Sequence, residues 1–300
     1  MADRKVMLTI APTGGMSMKS ANPALPTQPD EIADDTYKCW KAGASIVAIH
    51  ARRPDDQATC NPKIYREIND KIRARGSDII LNNSTGGGNS GDLLVKRDDG
   101  LWEANFEERL KGCDGGAEMC TFDGVTVVDT VNPEREMVVI TPPSRCETLI
   151  KRILAKGAKP EWEVFAPEHI AQDVTRLIKK GYDKPPYYIN MVLGGEAGFQ
   201  GAAPYTQETL LAMVRLLPPN SIWCISGIGP AQLAATTQAI LLGGHVRVGL
   251  EDNHYYRRGE KTNNLALVER QVRILRELNC EPMSTAEARE VLGLKPVRLN

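Results

Sequence analysis

The chain alternates eight times between a short β-rich run and a stretch long enough to form a helix. The β-rich runs are Val6–Pro12, Ser45–Arg52, Asp78–Ser84, Glu118–Asp123, Glu161–Ala166, Tyr187–Leu193, Ile222–Gly227 and Val246–Glu251. Parallel strands need a crossover connection, and every pair of runs is separated by enough chain for a crossover helix. Eight such units predict the α/β class, with a single (β/α)8 TIM barrel as the architecture.

Residues that favour helix ends lie where this pattern requires them. Thr27 precedes Pro29-Asp30-Glu31, which predicts an N-cap at Thr27 and acidic residues in the first turn. Near the end of the chain, Ser284 or Thr285 stands ahead of Glu287 at the spacing of a capping box. We therefore expect an extra C-terminal helix outside the eight-fold count.

Composition limits the class of protein. A chain of 300 residues with 42% hydrophobic content can bury a full core, and we expect one catalytic domain over residues 1–300. The 37 basic and 38 acidic residues nearly cancel, so no nucleic-acid partner is expected. No run approaches ~18 apolar residues, and the first residues lead directly into a strand-like run. These features predict a cytoplasmic protein without a membrane partner.

The seven cysteines are scattered, with no Cys-x-x-Cys pair and no adjacent His cluster. They are interpreted as reduced thiols. Cys224, on the seventh predicted strand, lies nearest to the expected site. We interpret it as a small buried hydrophobe in preference to a nucleophile.

Glycine-rich turns follow four of the predicted strands, at Thr13–Gly15, Ser84–Gly88, Leu193–Gly195 and Ser226–Pro230. In a barrel these turns face one mouth, where such enzymes keep their active sites. The turn after the third strand can cradle a carboxylate or an oxyanion, or it can be a plain tight turn; both interpretations stay open. Residues 89–100 are expected to leave the barrel as a lid or an oligomer contact.

Charged side chains are predicted to point into the barrel from several strands. Arg247 and Glu251 share one face of the eighth strand, and Ala48, His50 and Arg52 share one face of the second. A buried guanidinium costs several kcal/mol unless it is paired, and Glu161 and Glu163 on the fifth strand are natural partners. Arg247 either forms a structural ion pair or holds an anionic substrate, and both roles are compatible. We expect His50 and Glu251 to meet at one mouth above Arg247.

The acidic pair Glu251-Asp252 stands at the carboxyl end of the eighth strand. Successive residues that leave a strand can point in different directions, so one can orient a group while the other serves as a base. A solvated acidic loop that caps the following helix is the alternative.

Five segments carry a resemblance that spans nearly the whole chain. They are, in order, Asn22–Pro26, Ala42–Val47, Ser84–Gly87, Glu163–Phe165 and Gly243–Asn253. The chain resembles the β-keto acid cleavage enzymes, and the last of these segments is the most specific. The resemblance implies a (β/α)8 barrel, a homotetramer, and acetyl-CoA-dependent cleavage of a β-keto acid. Claisen and retro-Claisen acyl transfer would give acetoacetate and an acyl-CoA.

The resemblance also implies roles for individual residues. His50 and Glu251 match two ligands of a zinc ion, while Arg247 and Asp252 match the pair that orients and deprotonates the substrate. The residues that match substrate contacts are Ser84, Gly87, Thr121 and Glu163. Zinc is thus the implied cofactor, with acetyl-CoA as the cosubstrate.

Three positions depart from the family pattern. Ala48 stands where the family has a third zinc ligand, so the metal site is incomplete, and His254 is a candidate substitute donor. Met16 replaces a Glu that meets a substrate amine, which favours a substrate with an uncharged tail. Pro230 replaces an Arg associated with the acyl-CoA.

Two other functions stay open beside the leading one. A metal-free lyase or aldolase-like enzyme would keep Asp252 as the base and use Arg52 or Arg247 as the electrophile. A degenerate barrel would bind a small acid or an acyl-CoA without turnover. In each case the expected partners are small molecules, and a homo-oligomer is expected.

Overall fold

The structure, a computed structural model, describes residues 4–132 and 134–297. The expected domain over 1–300 includes residues 1–3, 133 and 298–300, which lie outside the described residues. Eight parallel strands, labelled β1 to β8, are Leu8–Ile10, Ile46–Ile49, Ile80–Asn83, Met119–Phe122, Lys159–Val164, Tyr187–Leu193, Ser221–Gly227 and His245–Val248. They pair in sequence order and close because β8 pairs with β1. The predicted (β/α)8 barrel is confirmed.

Helices follow the strands and cover the outside of the barrel. Their bounds are Pro29–Lys41, Pro62–Ala74, Phe106–Leu110, Pro143–Ala155, Pro167–His169, Thr175–Lys179, Gln207–Leu216, Ala231–Leu241, Asn264–Glu277 and Thr285–Leu292. Short 3₁₀ segments at Gly91–Leu93 and Lys111–Gly115 and a π-helical segment at Ile170–Val174 complete the set. The main hydrophobic core lies between these helices and the barrel.

The predicted N-cap at Thr27 is wrong by one residue. The first helix starts at Pro29 with Gln28 as its N-cap, in a capping box with Glu31. The Thr27 hydroxyl donates to Asp56 Oδ1 at 2.5 Å, and the Thr27 backbone N–H donates to Glu31 Oε2 at 2.9 Å.

The extra C-terminal helix is confirmed, and Ser284 is its N-cap in a capping box with Glu287. Ala288 and Leu292 of this helix pack with Met7 and Ile46, which lie near the amino ends of β1 and β2. The helix therefore closes the barrel at the end opposite to the carboxyl ends of the strands.

A second, five-stranded sheet is built from connections that leave the barrel. Its order is Phe199–Gln200, Val127–Asp129, Met137–Val139, Trp102–Ala104 and Leu94–Lys96. These strands come from the chain after β3, β4 and β6, so the sheet stands over the carboxyl ends of the strands. Residues 89–100 do leave the barrel as expected, and they supply its edge strand.

Three two-stranded pairs complete the fold. They are Arg4–Val6 with Cys280–Pro282, Ala51–Arg52 with Ala58–Thr59, and Tyr255–Arg257 with Glu260–Lys261. The last pair follows β8 and is called the rim hairpin below. Across residues 4–132 and 134–297, no helix is both long enough and apolar enough to span a membrane.

Candidate active site

Arg247 on β8 lies at the centre of a buried carboxylate cluster. Its Nε and Nη2 donate to Asp252 at 2.9 and 2.8 Å, so this contact is bidentate. Nη2 also donates to Glu251 Oε1 at 2.6 Å, and Nη1 donates to Glu163 Oε1 at 3.2 Å. The predicted pairing of Arg247 with the fifth strand is therefore made through Glu163. Three carboxylates offset the cost of burying the guanidinium.

His50 reaches the same cluster from the end of β2. Its Nε2 lies 3.2 Å from Glu251 Oε1, and its Nδ1 lies 2.8 Å from the Gly87 carbonyl oxygen. If Nδ1–H donates to that carbonyl, Nε2 faces a carboxylate oxygen, and the contact is favourable only with a proton or another cation between them. The predicted convergence of His50 and Glu251 above Arg247 is present in the structure.

A second set of polar groups supports the cluster from inside the barrel. Asn190 Nδ2 donates to Glu163 Oε1 at 3.2 Å, and Ser226 Oγ donates to Asn190 Oδ1 at 2.9 Å. Glu161, one inward position earlier on β5, accepts from Asn82. Sequence reasoning did not single out Asn190 and Ser226, although both are polar residues inside otherwise apolar strands, a pattern that marks inward-facing positions.

The carboxylates of the cluster differ in their proton affinity. Burial raises the pKa of Asp252 and Glu163, against the opposing effect of Arg247, and Glu163 is shifted well above its ordinary value. Burial also raises the pKa of Glu161, to about 7. Burial opposes ionisation of Glu251 as well, but Arg247 and His50 outweigh it and lower its pKa to about 2. Glu251 is therefore the fixed anion, while Asp252 is a stronger base than an ordinary aspartate.

The glycine turns after β1 and β3 touch each other beside His50. A Cβ atom on Gly15 would lie 1.8 Å from the Gly87 carbonyl oxygen, so a side chain there is excluded. This approach holds the Gly87 carbonyl against the imidazole. Ser84 begins the β3 turn, and its Oγ accepts from the Gly86 N–H at 3.0 Å.

A cavity of about 1090 Å³ opens above the cluster at the carboxyl ends of the strands. Its polar floor includes His50, Ser84, Glu163, Arg247, Glu251 and Asp252. Its apolar wall, which includes residues of the five-stranded sheet, contains Val125, Val127, Met137, Val139, Phe165 and Phe199. Ligand sites of about 300–1,000 Å³ hold drug-sized molecules, so this cavity has room for more than one small acid.

Several predicted site residues occupy other environments. Arg52 is 1% exposed and donates to the carbonyl oxygens of Gly14, Ser17 and Asp56, so the proposal that it serves as an electrophile is wrong. Its hydrogen-bonding capacity is used to hold the turn after β1.

Two predicted substrate contacts hold the protein's own turns. Thr121 Oγ1 accepts from the Thr85 N–H at 2.8 Å, and Gly87 contacts His50. Direct contact of either residue with substrate stays a prediction. Cys224 is fully buried and burial raises the pKa of its thiol well above the ordinary value, as expected of a core cysteine.

The donor set does not match a three-ligand zinc centre. Catalytic zinc sites in proteins usually have three protein ligands and a water. Among the residues that the structure describes, no three His, Cys, Asp or Glu side chains are grouped to hold a metal ion. Ala48 is buried where a third donor is expected, and its methyl group cannot coordinate. His254, the candidate substitute, does not complete such a group with His50 and Glu251, so that expectation is wrong.

The fold and the site together define a class of protein. It is a (β/α)8-barrel enzyme in which a buried aspartate and arginine face a large, mostly apolar cavity, an arrangement suited to proton abstraction from a carbon acid. The chain belongs to the beta-keto acid cleavage enzyme family, which matches residues 5–294. The family and enzyme class expected from the sequence are therefore confirmed.

Relatives of known name agree with this assignment. The chain is 33% identical over 293 residues to a 3-keto-5-aminohexanoate cleavage enzyme of Fusobacterium nucleatum, covering 97% of this chain and 98% of that protein. It is 32% identical to a 3-dehydrocarnitine:acetyl-CoA trimethylamine transferase of Rhizobium meliloti, covering 97% of each chain. The solved structure of apo ObcA superimposes with a TM-score of 0.67 at 19% identity, over 92% of this chain and 66% of that one. The last likeness shows the fold alone.

Proposed function

We propose that the protein transfers the acetate unit of a β-keto acid to acetyl-CoA. In this reaction R–CO–CH2–COO⁻ and acetyl-CoA give R–CO–SCoA and acetoacetate. Membership of the family supports cleavage of a β-keto acid. The name of the Rhizobium meliloti relative supports acetyl-CoA as the cosubstrate. Acyl transfer of this kind needs a base near a carbon acid and donors for an enolate oxygen.

The observation that carries the proposal is the Asp252–Arg247 contact. Asp252 is 5% exposed, its carboxylate is held in one orientation by two hydrogen bonds from Arg247, and burial raises its pKa. A general base works best when its pKa is near the working pH and its geometry is fixed. Asp252 is the base that takes a proton from C2 of the substrate.

Arg247 and Ser84 supply donors to the substrate. Arg247 has five N–H groups, and four donate to carboxylates among the described residues, which leaves one for an anion in the cavity. Ser84 Oγ accepts from Gly86, so its own hydrogen can be donated to a substrate oxygen. Glu163 lies on the same floor, and burial raises the pKa of its carboxyl group.

The steps follow from these roles. Asp252 removes the C2 proton, and the resulting enolate attacks the thioester carbonyl of acetyl-CoA, which releases the CoA thiolate. The thiolate attacks the C3 ketone, and the C2–C3 bond breaks by a retro-Claisen step. The acyl-CoA forms, and the leaving acetoacetate enolate takes the proton back from Asp252. Donors fixed before the reaction stabilise each oxyanion without reorganisation.

Zinc stays a prediction from the family resemblance. His50 and Glu251 are the residues that would contact such an ion, which would supply Lewis-acid polarisation of the keto oxygen when bound. The two donors do not amount to the usual three, so the steps above use only the chain's own side chains. Metal content of protein purified without chelator is the direct test.

The tail of the substrate is proposed to be uncharged. Met16 lines the cavity where a carboxylate would be needed to pair with an amine, and valine, methionine and phenylalanine side chains form the facing wall. An ammonium group placed between Met16 and this apolar wall would lose its hydration without gaining a partner from them, which is costly. Aliphatic β-keto acids fit this surface better than amino-substituted ones.

The proposal is tested by turnover. Purified protein incubated with acetyl-CoA and a panel of β-keto acids is expected to form acetoacetate and the matching acyl-CoA, detected by mass spectrometry. Aliphatic tails are expected to give the highest kcat/KM. No product from any acid, with metal-free and zinc-supplemented protein alike, would reject the function.

A metal-free lyase is the second candidate, and Ala48 is the observation that favours it. Such an enzyme would split a carbon–carbon bond with Asp252 as the base and Arg247 as the electrophile, without acetyl-CoA. Product formation in the absence of acetyl-CoA would support it over the first candidate. Binding of an acid or acyl-CoA without any turnover would indicate the degenerate barrel.

We also propose that this single catalytic domain assembles as a homo-oligomer in the cytoplasm, with a tetramer implied by the family resemblance. Four exposed leucines support an interface, since they are large apolar side chains on two outer helices and at the residue that follows the second helix. They are Leu216, Leu233, Leu241 and Leu242. All seven cysteines are buried free thiols, which supports a reducing compartment. Light scattering of purified protein measures the assembly.

A further inference from the structure

The cavity above the active site extends to a second region that the proposed chemistry does not use. From the polar floor at Arg247 and Asp252, its lining continues along the loop after β8 to Tyr255, Tyr256, Arg258 and Arg270. These residues belong to the rim hairpin and to the helix Asn264–Glu277. The active-site floor and the hairpin therefore face one continuous space.

This end of the cavity carries a concentration of positive charge. Five basic side chains lie on the rim hairpin and on the first three turns of the adjoining helix: Arg257, Arg258, Lys261, Arg270 and Arg273. Within the described ranges, only Arg257 has a carboxylate partner, Glu260 at 2.6 Å. Glu269 lies one helical turn before Arg273, but the structure shows no ion pair between these two side chains. The other four cations have no anionic partner from the described part of the protein.

Two of these arginines are held close together by Tyr256. The Arg270 guanidinium lies 4.6 Å from the ring centroid of Tyr256, and its Nη1 donates to the Tyr256 carbonyl oxygen at 2.5 Å. Arg273 Nη2 donates to the Tyr256 hydroxyl at 2.8 Å. Burial lowers the pKa of Arg270, and Arg273 lowers it further, while Tyr256 opposes the shift. Two neighbouring cations ordered without a counter-ion are a site that an anion would stabilise.

We propose that the rim hairpin, together with Arg270 and Arg273, binds the phosphorylated ADP end of acetyl-CoA; this inference rests on the proposed function. Arginine matches phosphate in a bidentate manner, and the 3′-phosphate and diphosphate of CoA offer several anionic groups. Tyr255, which is 45% exposed, presents a ring on which an adenine can stack.

The position of the rim suits the length of the cosubstrate. Asp252 and Arg258 are six residues apart, so their Cα atoms lie within at most ~20 Å of each other. A CoA molecule anchored by its nucleotide at the rim extends its pantetheine arm along the cavity, and its thioester reaches the floor. The acid then occupies the space between the thioester and the apolar wall.

The test compares acetyl-CoA with S-acetyl-N-acetylcysteamine, a thioester without the nucleotide. Arg258→Ala and Arg273→Ala are each expected to raise KM for acetyl-CoA about tenfold, with kcat within about twofold, because each removes a charge-assisted hydrogen bond. The ratio of kcat/KM between acetyl-CoA and the short thioester is expected to fall accordingly. Arg270→Gln provides a third variant that retains side-chain bulk.

Arg215→Ala is the matched control. Arg215 is exposed and has no carboxylate partner among the described residues. It lies in the last turn of the helix Gln207–Leu216, which runs back to the amino end of β7 and so away from the cavity. Its KM for acetyl-CoA is expected to stay at the wild-type value. An unchanged KM in the rim variants, or an equal change in Arg215→Ala, overturns the proposal.

Binding without turnover separates this inference from the proposed function. Calorimetric titration with CoA and with adenosine 3′,5′-bisphosphate is expected to show binding that Arg258→Ala weakens about tenfold. If the wild-type enzyme turns over no thioester but still binds both probes, the function fails and the rim site stands. If inorganic phosphate competes as well as the bisphosphate does, the rim is a general anion site and the inference fails.

Discussion

Glu251 Oε1 lies 3.2 Å from His50 Nε2, although β8 and β2 are separated in the barrel by β1. The turn after β1 passes close to this contact, and Gly14 in that turn packs directly against Glu251. A Cβ atom on Gly14 would lie 2.7 Å from Glu251 Cγ. The orientation of the Glu251 carboxylate therefore depends on the absence of a side chain at residue 14.

Gly14→Ala is expected to displace Glu251 and to lower kcat/KM at least about tenfold, because positioning errors of this kind weaken catalysis strongly. Gly76→Ala is the matched control: both glycines have positive φ, +65° and +74°, but a Cβ on Gly76 has no neighbour within 4 Å. Each variant is expected to lose about 1 kcal/mol of stability from backbone strain. Thermal unfolding and turnover measure the two effects. Equal loss of activity in both variants would contradict the role of Gly14.

Asp252→Asn is expected to lower kcat by about 10²–10⁴-fold, since the amide cannot accept the substrate proton. The near-isosteric change keeps one oxygen for Arg247, so the fold is expected to persist by circular dichroism. Asp98→Asn, at an exposed residue of the connection after β3, should leave turnover at the wild-type level. Retention of most activity in Asp252→Asn would assign the base to another residue.

His245 gives the fold a defined acid sensitivity. Its Nδ1 accepts from the Met7 N–H at 3.0 Å, and burial, with Arg4 adding to it, lowers its pKa to about 3. The pKa of this histidine is about 6.5 in the unfolded chain. At a pH between that pKa and the lower pKa of the folded protein, the unfolded chain binds a proton that the folded protein does not bind. The free energy of unfolding therefore falls as the pH falls through this range. The loss is up to about 1.4 kcal/mol per pH unit, roughly 5 kcal/mol in total.

His245→Asn keeps an acceptor for Met7 but cannot be protonated. Denaturant unfolding from pH 7 to pH 4 is expected to show a shallower pH slope for this variant than for the wild type. Identical slopes would mean that other groups cause the acid sensitivity.

Ala48→His is expected to raise zinc binding towards about one ion per chain, because it supplies the third donor beside His50 and Glu251. Ala48 is buried on β2, so the larger side chain is also expected to cost about 1–3 kcal/mol of stability. Ala48→Asn adds polar bulk at the same point without an imidazole and should bind less metal. The zinc content per chain is measured for both variants. Equal zinc content in the two would reject a metal site at this position.

Met16→Glu is expected to shift the substrate preference towards β-keto acids with an amino group on the tail. The shift in relative kcat/KM is expected to be about tenfold, because the new carboxylate can form one charge-assisted hydrogen bond with the amine. Met16 lines the cavity, whereas Met18, two residues later, is 38% exposed and lies outside the cavity lining. Met18→Glu is therefore the control and should leave the preference unchanged. Competition assays with paired substrates measure the ratio, and an unchanged preference in Met16→Glu would place the tail elsewhere.

Much of the fold followed from local pattern. All eight barrel strands overlap the β-rich runs, and Ser284, one of the two predicted caps, is the N-cap of the last helix. Both predictions succeeded because hydrophobic alternation and capping depend on residues near in sequence. The cap at Thr27 was misplaced by one residue: Gln28 is the N-cap, and the Thr27 hydroxyl donates to Asp56 in the next connection. Local signals cannot include such a partner.

The candidate site was predictable only in part. The strand positions of His50, Arg247 and Glu251 and the closed barrel were enough to expect their meeting. Nothing in the spacing indicated that Arg52 would turn away to three backbone carbonyls, or that Asn190 and Ser226 would support Glu163. Both outcomes depend on which connections fold back over the strand ends.

The sequence by itself determined the barrel, its final helix and the family, because strand and helix periodicity and an unbroken run such as Gly243–Asn253 are properties of neighbouring residues. Tertiary structure alone decided the apolar wall and the cationic rim. The wall joins chain segments from three separate connections into one sheet, and the rim joins a hairpin to a helix through Tyr256. Contacts between such distant segments arise only when the barrel closes, so no local pattern encodes them.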